Sequence, residues 1–93
     1  MGCTLTQLEA LQTGDLEAGI VIDSLYRENL YKLAIDITSN KTVAEDIVNI
    51  VFLKAVHLCK NFRQPIDLET FLLNTVKQHA YNYLKFPVSA EQE

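Results

Sequence analysis

The segment from Thr42 to Val56 constrains this chain most, because it reads as a capped helix with more apolar surface than one buried face can use. Thr42 followed three residues later by Glu45 fits a capping box, in which the hydroxyl accepts from the Glu45 N–H and the Glu45 carboxylate returns to the Thr42 N–H. Glu45 and Asp46 then fall in the first turn, where the positive end of the helix dipole favours each by about 0.3–1 kcal/mol. Ile47, Val48, Val51, Ala55 and Leu58 recur on one stripe, and Ile50 and Leu53 widen it. Such a helix is either central in its domain or half of an interface.

Three further helices flank it. Thr6 and Glu9 form another capping-box pair, which predicts a short helix over Leu5–Gln12, ended by Thr13-Gly14-Asp15. A longer helix runs from Asp15 to about Thr38, with Ile22, Leu25, Tyr26, Leu30, Leu33, Ala34 and Ile37 at three- and four-residue steps and Gly19 weakening its start. Ser39-Asn40-Lys41 reads as a tight connection in which Asn40 takes the left-handed conformation at the helix end. After the third helix, Lys60 to Asp67 breaks the pattern, since Pro65 lacks an N–H and pushes Gln64 out of the helical region. Asp67 caps a fourth helix that carries Leu68, Phe71, Leu72, Val76, Ala80, Tyr83 and Leu84 and stops near Phe86, before Pro87. The polar residues 87–93 are expected to be disordered.

With 93 residues the chain makes one domain, and 3 Gly and 2 Pro leave little material for a turn-rich β fold. The expected architecture is all-α, a compact helical bundle of about four helices. No apolar run is long enough to span a bilayer, and the first residues carry no basic segment followed by an apolar core, so a soluble cytoplasmic protein without membrane insertion is expected. Cys3 and Cys59 lack CxxC or Cys/His ligand spacing; a buried thiol at Cys59 fits a reducing compartment. The sequence has no Gly-rich phosphate loop, HExxH motif or nucleophile elbow, and His57 and His79 fall on different helices. The reading is a non-enzyme without cofactor or metal.

Charge is spread unevenly within the net −4: Met1 to Asp46 holds 3 Lys/Arg against 8 Asp/Glu, and Lys54 to Lys85 holds 5 against 2. Phosphate contacts should therefore come from the second half, and the acidic half should face a basic protein surface. The second half also interleaves aromatics with amides and bases: Asn61, Phe62, Arg63, Gln64, then Phe71, Asn74, Lys77, Gln78, His79, Tyr81, Asn82 and Lys85. Single-stranded nucleic acid suits those types, because an unstacked base lies on an aromatic or guanidinium face for about 1–3 kcal/mol while amides read its edges. Lys77, Tyr81 and Lys85 are four apart on one helix face, with Asn74 and Gln78 beside them. The alternative is that Phe62 and Phe71 fill the core and the polar groups are only solvated.

These pieces resemble a known family. Leu25-Tyr26 with Leu30 to Ala34, Ala44-Glu45-Asp46-Ile47-Val48-Asn49 with Val51 to Lys54, Asn61-Phe62, and the helix from Phe71-Leu72 to Tyr83-Leu84-Lys85 are similar to region two of bacterial RNA polymerase sigma factors, nearest to the extracytoplasmic-function group. The resemblance implies a region-two-like domain over residues 25–86, a weakly matched N-terminal helical segment over 1–24 and the tail over 87–93. It implies a transcription initiation factor domain that binds core RNA polymerase through the clamp helices of the largest subunit and recognises and melts the minus-ten promoter element as a single strand. Carried over by matching position, Leu25, Tyr26, Asp46, Asn49 and Leu53 would dock on polymerase; Asn61, Phe62, Arg63, Phe71, Asn74, Lys77, Gln78 and Tyr81 would attend the DNA. Asn49 stands where Gln is usual, Ile50 where an acidic or polar residue is usual, and Lys77-Gln78 where Arg-Asn is familiar. A second helix-turn-helix domain is not among the matched segments, so the resemblance fits an excised domain or a stand-alone derivative. The alternative function is a sigma-like module that binds an anti-sigma factor or polymerase with little DNA binding.

Overall fold

The computed structural model describes residues 2–85. Four helices follow in chain order: α1 (Leu5–Gln12), α2 (Leu16–Thr38), α3 (Lys41–Leu58) and α4 (Pro65–Lys85), with a 3-10 turn at Cys59–Asn61 between α3 and α4. The architecture is the all-α bundle expected. The tail reading for residues 87–93, with the helix end near Phe86, lies outside the described residues.

Helix positions agree with the sequence reading, but the residues that start the helices differ. Thr4, not Thr6, caps α1: its hydroxyl accepts from Gln7 N–H at 3.1 Å while Gln7 Oε1 accepts from Thr4 N–H at 2.8 Å. Asp15 caps α2, accepting from Glu17 N–H. The expected Thr42–Glu45 box is absent, because Asn40 takes an extended conformation and its Oδ1 accepts from Val43 N–H at 3.0 Å. Asn outranks Thr as an N-cap, so the helix starts earlier and Thr42 sits inside it. Glu45 and Asp46 consequently fall beyond the first turn. The left-handed residue of this connection is Ser39 (φ 55, ψ 28), rather than Asn40. Asp67 acts from inside α4, its Oδ2 accepting from Arg63 N–H at 2.9 Å and Gln64 N–H at 3.0 Å. Pro65 opens that helix, where its missing N–H costs nothing. Gly14 closes the α1–α2 turn at φ 90, a conformation that disfavours any side chain.

Helix α2 is the axis against which α1, α3 and α4 pack. Its buried residues, Ala18, Ile22, Tyr26, Leu30, Ala34 and Thr38, fall at every fourth position. Each four-residue step overshoots a full turn by about 40°, so the buried row winds around the helix as it rises. α4 supplies a similar row, Leu68, Leu72, Val76 and Ala80, and α3 contributes Ala44, Ile47, Val48, Val51, Phe52 and Ala55. Facing rows at this spacing pack as ridges into grooves. Leu8 and Leu11 of α1 close one end, together with Cys3 and Cys59. The residues before Ser24 thus share a single core with the rest.

Cys3, next to the N-terminus, is buried, and its N–H donates to Tyr26 Oη at 2.9 Å. Burial pushes the Tyr26 phenol up to about 12 and raises the Cys3 thiol. Gly2 makes that approach fit, since a Cβ there would lie 3.0 Å from the phenol oxygen. Leu58 and Leu84, placed on the core stripes by spacing, are exposed.

Candidate polymerase and nucleic-acid surfaces

Part of the excess apolar surface of α3, Leu53 and Val56, faces the first turns of α2, whereas exposed Ile50 and Leu58 lie outside that groove. Asp46, Asn49 and Leu53 occupy one exposed stripe of α3 at steps of three and four. Leu53, 63% exposed, borders a groove of about 600 Å³ with Val56 from α3 and Leu16, Ile20 and Ser24 from α2. Leu16 and Ile20 are 85% and 69% exposed. Isolated exposed leucines are common, but this cluster is contiguous and frames a concave surface, which makes it a candidate docking site.

Arg27 sits at the middle of the α2–α3 seam. Its Nε and Nη2 donate to Asp23 Oδ1 and Oδ2 at 2.7 and 2.8 Å, and its guanidinium carbon lies 5.4 Å from the centroid of Phe52. The Asp23 hydrogen bond raises the Arg27 pKa further. Beyond Arg27 the surface becomes polar and acidic, a second depression of about 510 Å³ with Glu28, Tyr31 and Glu45 at its edge.

Two of the expected docking residues lie elsewhere. Tyr26 is only 5% exposed and bonded to Cys3, so it belongs to the core. Leu25 is half-exposed but falls on the opposite side of α2 from Leu16 and Ile20 at 100° per residue. Leu16 and Ile20 escaped the sequence reading because it followed the stripe beginning at Ile22, although their four-residue spacing was available.

The second surface is the loop after α3 with the outer side of α4. Asn61, Arg63, Asn74, Lys77, Gln78 and Tyr81 are all exposed. On α4, Asn74, Lys77, Gln78, Tyr81 and Lys85 run opposite the buried row of Leu68, Leu72, Val76 and Ala80. Phe62 and Phe71 are the exceptions among the DNA-facing expectations: Phe62 is 8% exposed, and its ring packs against half-buried Phe71, itself against the core, with centroids 5.4 Å apart. The pair forms the floor under the loop, and burial removes Phe62 as a free stacking platform.

The loop backbone is held from both sides. Asp67 fixes the N–H groups of Arg63 and Gln64, and Gln12 Nε2 donates to Cys59 O at 2.8 Å and Phe62 O at 2.6 Å. Across the other side of α4, Lys54 Nζ lies 3.0 Å from His79 Nε2. Burial first, and then the Lys54 charge, lower the His79 pKa and favour neutral imidazole. Among the described residues no group of three His, Cys, Asp or Glu side chains could hold a metal ion, and no helix is long and apolar enough to cross a membrane.

A family model described as Sigma-70 region 2 matches residues 24–86. No curated protein and no solved structure matches the chain.

Proposed function

The chain belongs to the sigma-70 region 2 family, whose domains are non-enzymatic and take part in transcription initiation, and on that premise we propose that it joins core RNA polymerase to the single-stranded minus-ten promoter element through two separate surfaces. The α2–α3 groove takes the polymerase, with Leu16, Ile20, Asn49, Leu53 and Val56 as the contact and Glu28, Glu45 and Asp46 as an acidic border. The clamp helices of the largest subunit are the partner proposed for it. The loop and outer α4 take the DNA: Asn61 and Arg63 meet bases displaced from the stack, Tyr81 offers a ring face, Lys77 and Lys85 meet phosphates, and Asn74 and Gln78 read base edges. Melting on this account is selection of flipped bases, binding offsetting an unstacking cost of a few kcal/mol.

One observation supports the reading: an apolar concave surface, built partly by the matched segment and partly by Leu16 and Ile20 just before it, and a polar, basic, amide-rich row on α4 stand on different helices and do not compete. A second reading, a sigma-like module that binds polymerase or an anti-sigma factor with little DNA contact, is favoured by the burial of Phe62 and by the net charge of −4.

Binding to a clamp-helix fragment, alone and then with a nontemplate single strand, at two salt concentrations, separates them. Strand capture that requires the clamp fragment and falls with salt at a log–log slope of about −0.7 per phosphate contacted supports the first reading. Clamp binding without strand capture supports the second, and no clamp binding defeats both.

A further inference from the structure

The Sigma-70 region 2 match begins at Ser24, yet the loop that carries Asn61 and Arg63 is fastened by residues that precede it. Gln12, the last residue of α1, spends both amide hydrogens on this loop, donating to the carbonyls of Cys59 and Phe62 47 and 50 positions away. The neighbouring Leu11 carbonyl accepts from Cys59 Sγ at 3.8 Å. Those two carbonyls flank Asn61, and the second directly precedes Arg63. Asp67 holds the same loop from the opposite side through its Arg63 and Gln64 N–H groups. The peptide carrying both proposed base contacts is therefore clamped at its carbonyls by α1 and at its N–H groups by α4.

We propose that α1 is a positioning element for strand capture and that Gln12 is its positioning residue, setting the orientation of the Asn61–Arg63 peptide without touching DNA. This rests on the DNA-binding reading of the loop. Its physical basis is preorganisation: a loop already held in its binding conformation loses less freedom when the strand arrives. Glutamine suits position 12 because its neutral amide carries two hydrogens on one nitrogen at a reach that serves both carbonyls at once. The polymerase groove lies on the α2–α3 side and includes neither Gln12 nor the loop, so loss of the clamp should separate the two activities.

The test uses the full chain as wild type, Gln12→Met, which keeps length without donors, and Gln12→Glu, which sets a carboxylate against two carbonyls. Polymerase docking is measured alongside capture of a single strand selected on the wild type from a randomised-core pool, with hydrogen exchange of the Arg63 and Gln64 amides. Gln12→Met should lower capture about tenfold with docking unchanged, and both loop amides should exchange faster without DNA. Gln12→Glu should lose at least as much, and regain part of it from pH 7 to about 5, as two facing carbonyls disfavour the anion and the fraction of carboxyl that protonates supplies one donor; Gln12→Met, followed over the same range, should not. Unchanged capture or unchanged loop exchange in Gln12→Met overturns the proposal, as does an equal loss of docking and capture. If the wild type docks but selects no strand, the DNA reading itself fails and takes the proposal with it; capture by wild type and Gln12→Met alike removes only the proposal.

Discussion

The two surfaces of this domain are built by different means. The α2–α3 groove is a by-product of helix packing: Leu16, Ile20, Leu53 and Val56 lie beside buried rows, and their positions follow from the same registers that place Ile22 and Val51 in the core. On the second surface α4 is an ordinary helix, but the loop before it owes its shape to individual hydrogen bonds, Asp67 accepting from its N–H groups and Gln12 donating to its carbonyls. Binding at the groove should accordingly scale with apolar area and resist salt, whereas binding at the loop should depend on charge and on the geometry of a few peptides.

The comparison breaks most severely if the core is opened. Leu72 is fully buried on α4, and Leu72→Ala should cost about 2–5 kcal/mol of stability and weaken both surfaces together, read by denaturant unfolding beside the two binding assays. A substitution on the groove should divide them. Leu53→Asp leaves the fold within about 0.5 kcal/mol, because the side chain is exposed, and should reduce polymerase affinity about thirty- to hundredfold. Retained affinity with an unchanged circular dichroism spectrum would remove Leu53 from the contact. Lys77→Glu should lower strand capture about three- to tenfold and flatten its salt dependence while leaving docking intact; equal loss of both would mean that the two surfaces are not independent.

The smallest effect is one of acidity. The His79 pKa lies below its unfolded value, so the unfolded chain binds the proton more readily. Stability is therefore unaffected above the ordinary imidazole range near 6.5 and declines as pH falls below it, as protonated His79 comes to face Lys54. Because Lys54 is exposed and His79 only half-buried, solvent screens the pair and the decline attributable to it should stay under about 1 kcal/mol. Urea titrations of wild type and His79→Gln between pH 7 and 5 should diverge by that amount, and parallel curves would remove the pair as a source of pH dependence.

The contrast also accounts for what the sequence could disclose. Helix spans were legible because they rest on periodic burial repeated over many residues, as in the row from Ala18 to Thr38. Helix starts were less so, since Thr42 and Asn40 both satisfy a capping rule, and the modest preference for Asn over Thr had to compete with the complete Thr42–Glu45 box. Of the candidate sites, Asp46, Asn49 and Leu53 share a helical stripe and reach the surface together, as spacing alone can foresee. Burial of Tyr26 against Cys3 and of Phe62 against Phe71 depends on which elements meet, which no local window contains. The same holds for Gln12, an ordinary polar residue in sequence whose partners lie half a chain away.

The winding of the buried row on α2 imposes a constraint of a different kind. Because its core side and its groove side are set by one continuous register, inserting or deleting a single residue between Ile20 and Leu30 would rotate everything beyond it by about 100°. Leu16 and Ile20 would then no longer stand over the groove while Leu30 stands in the core, whichever end of the helix stayed in place. α2 is thus open to change in side chain along its outer side and closed to change in length, so that variation in this domain should accumulate as substitutions there and as indels only in the connections between helices.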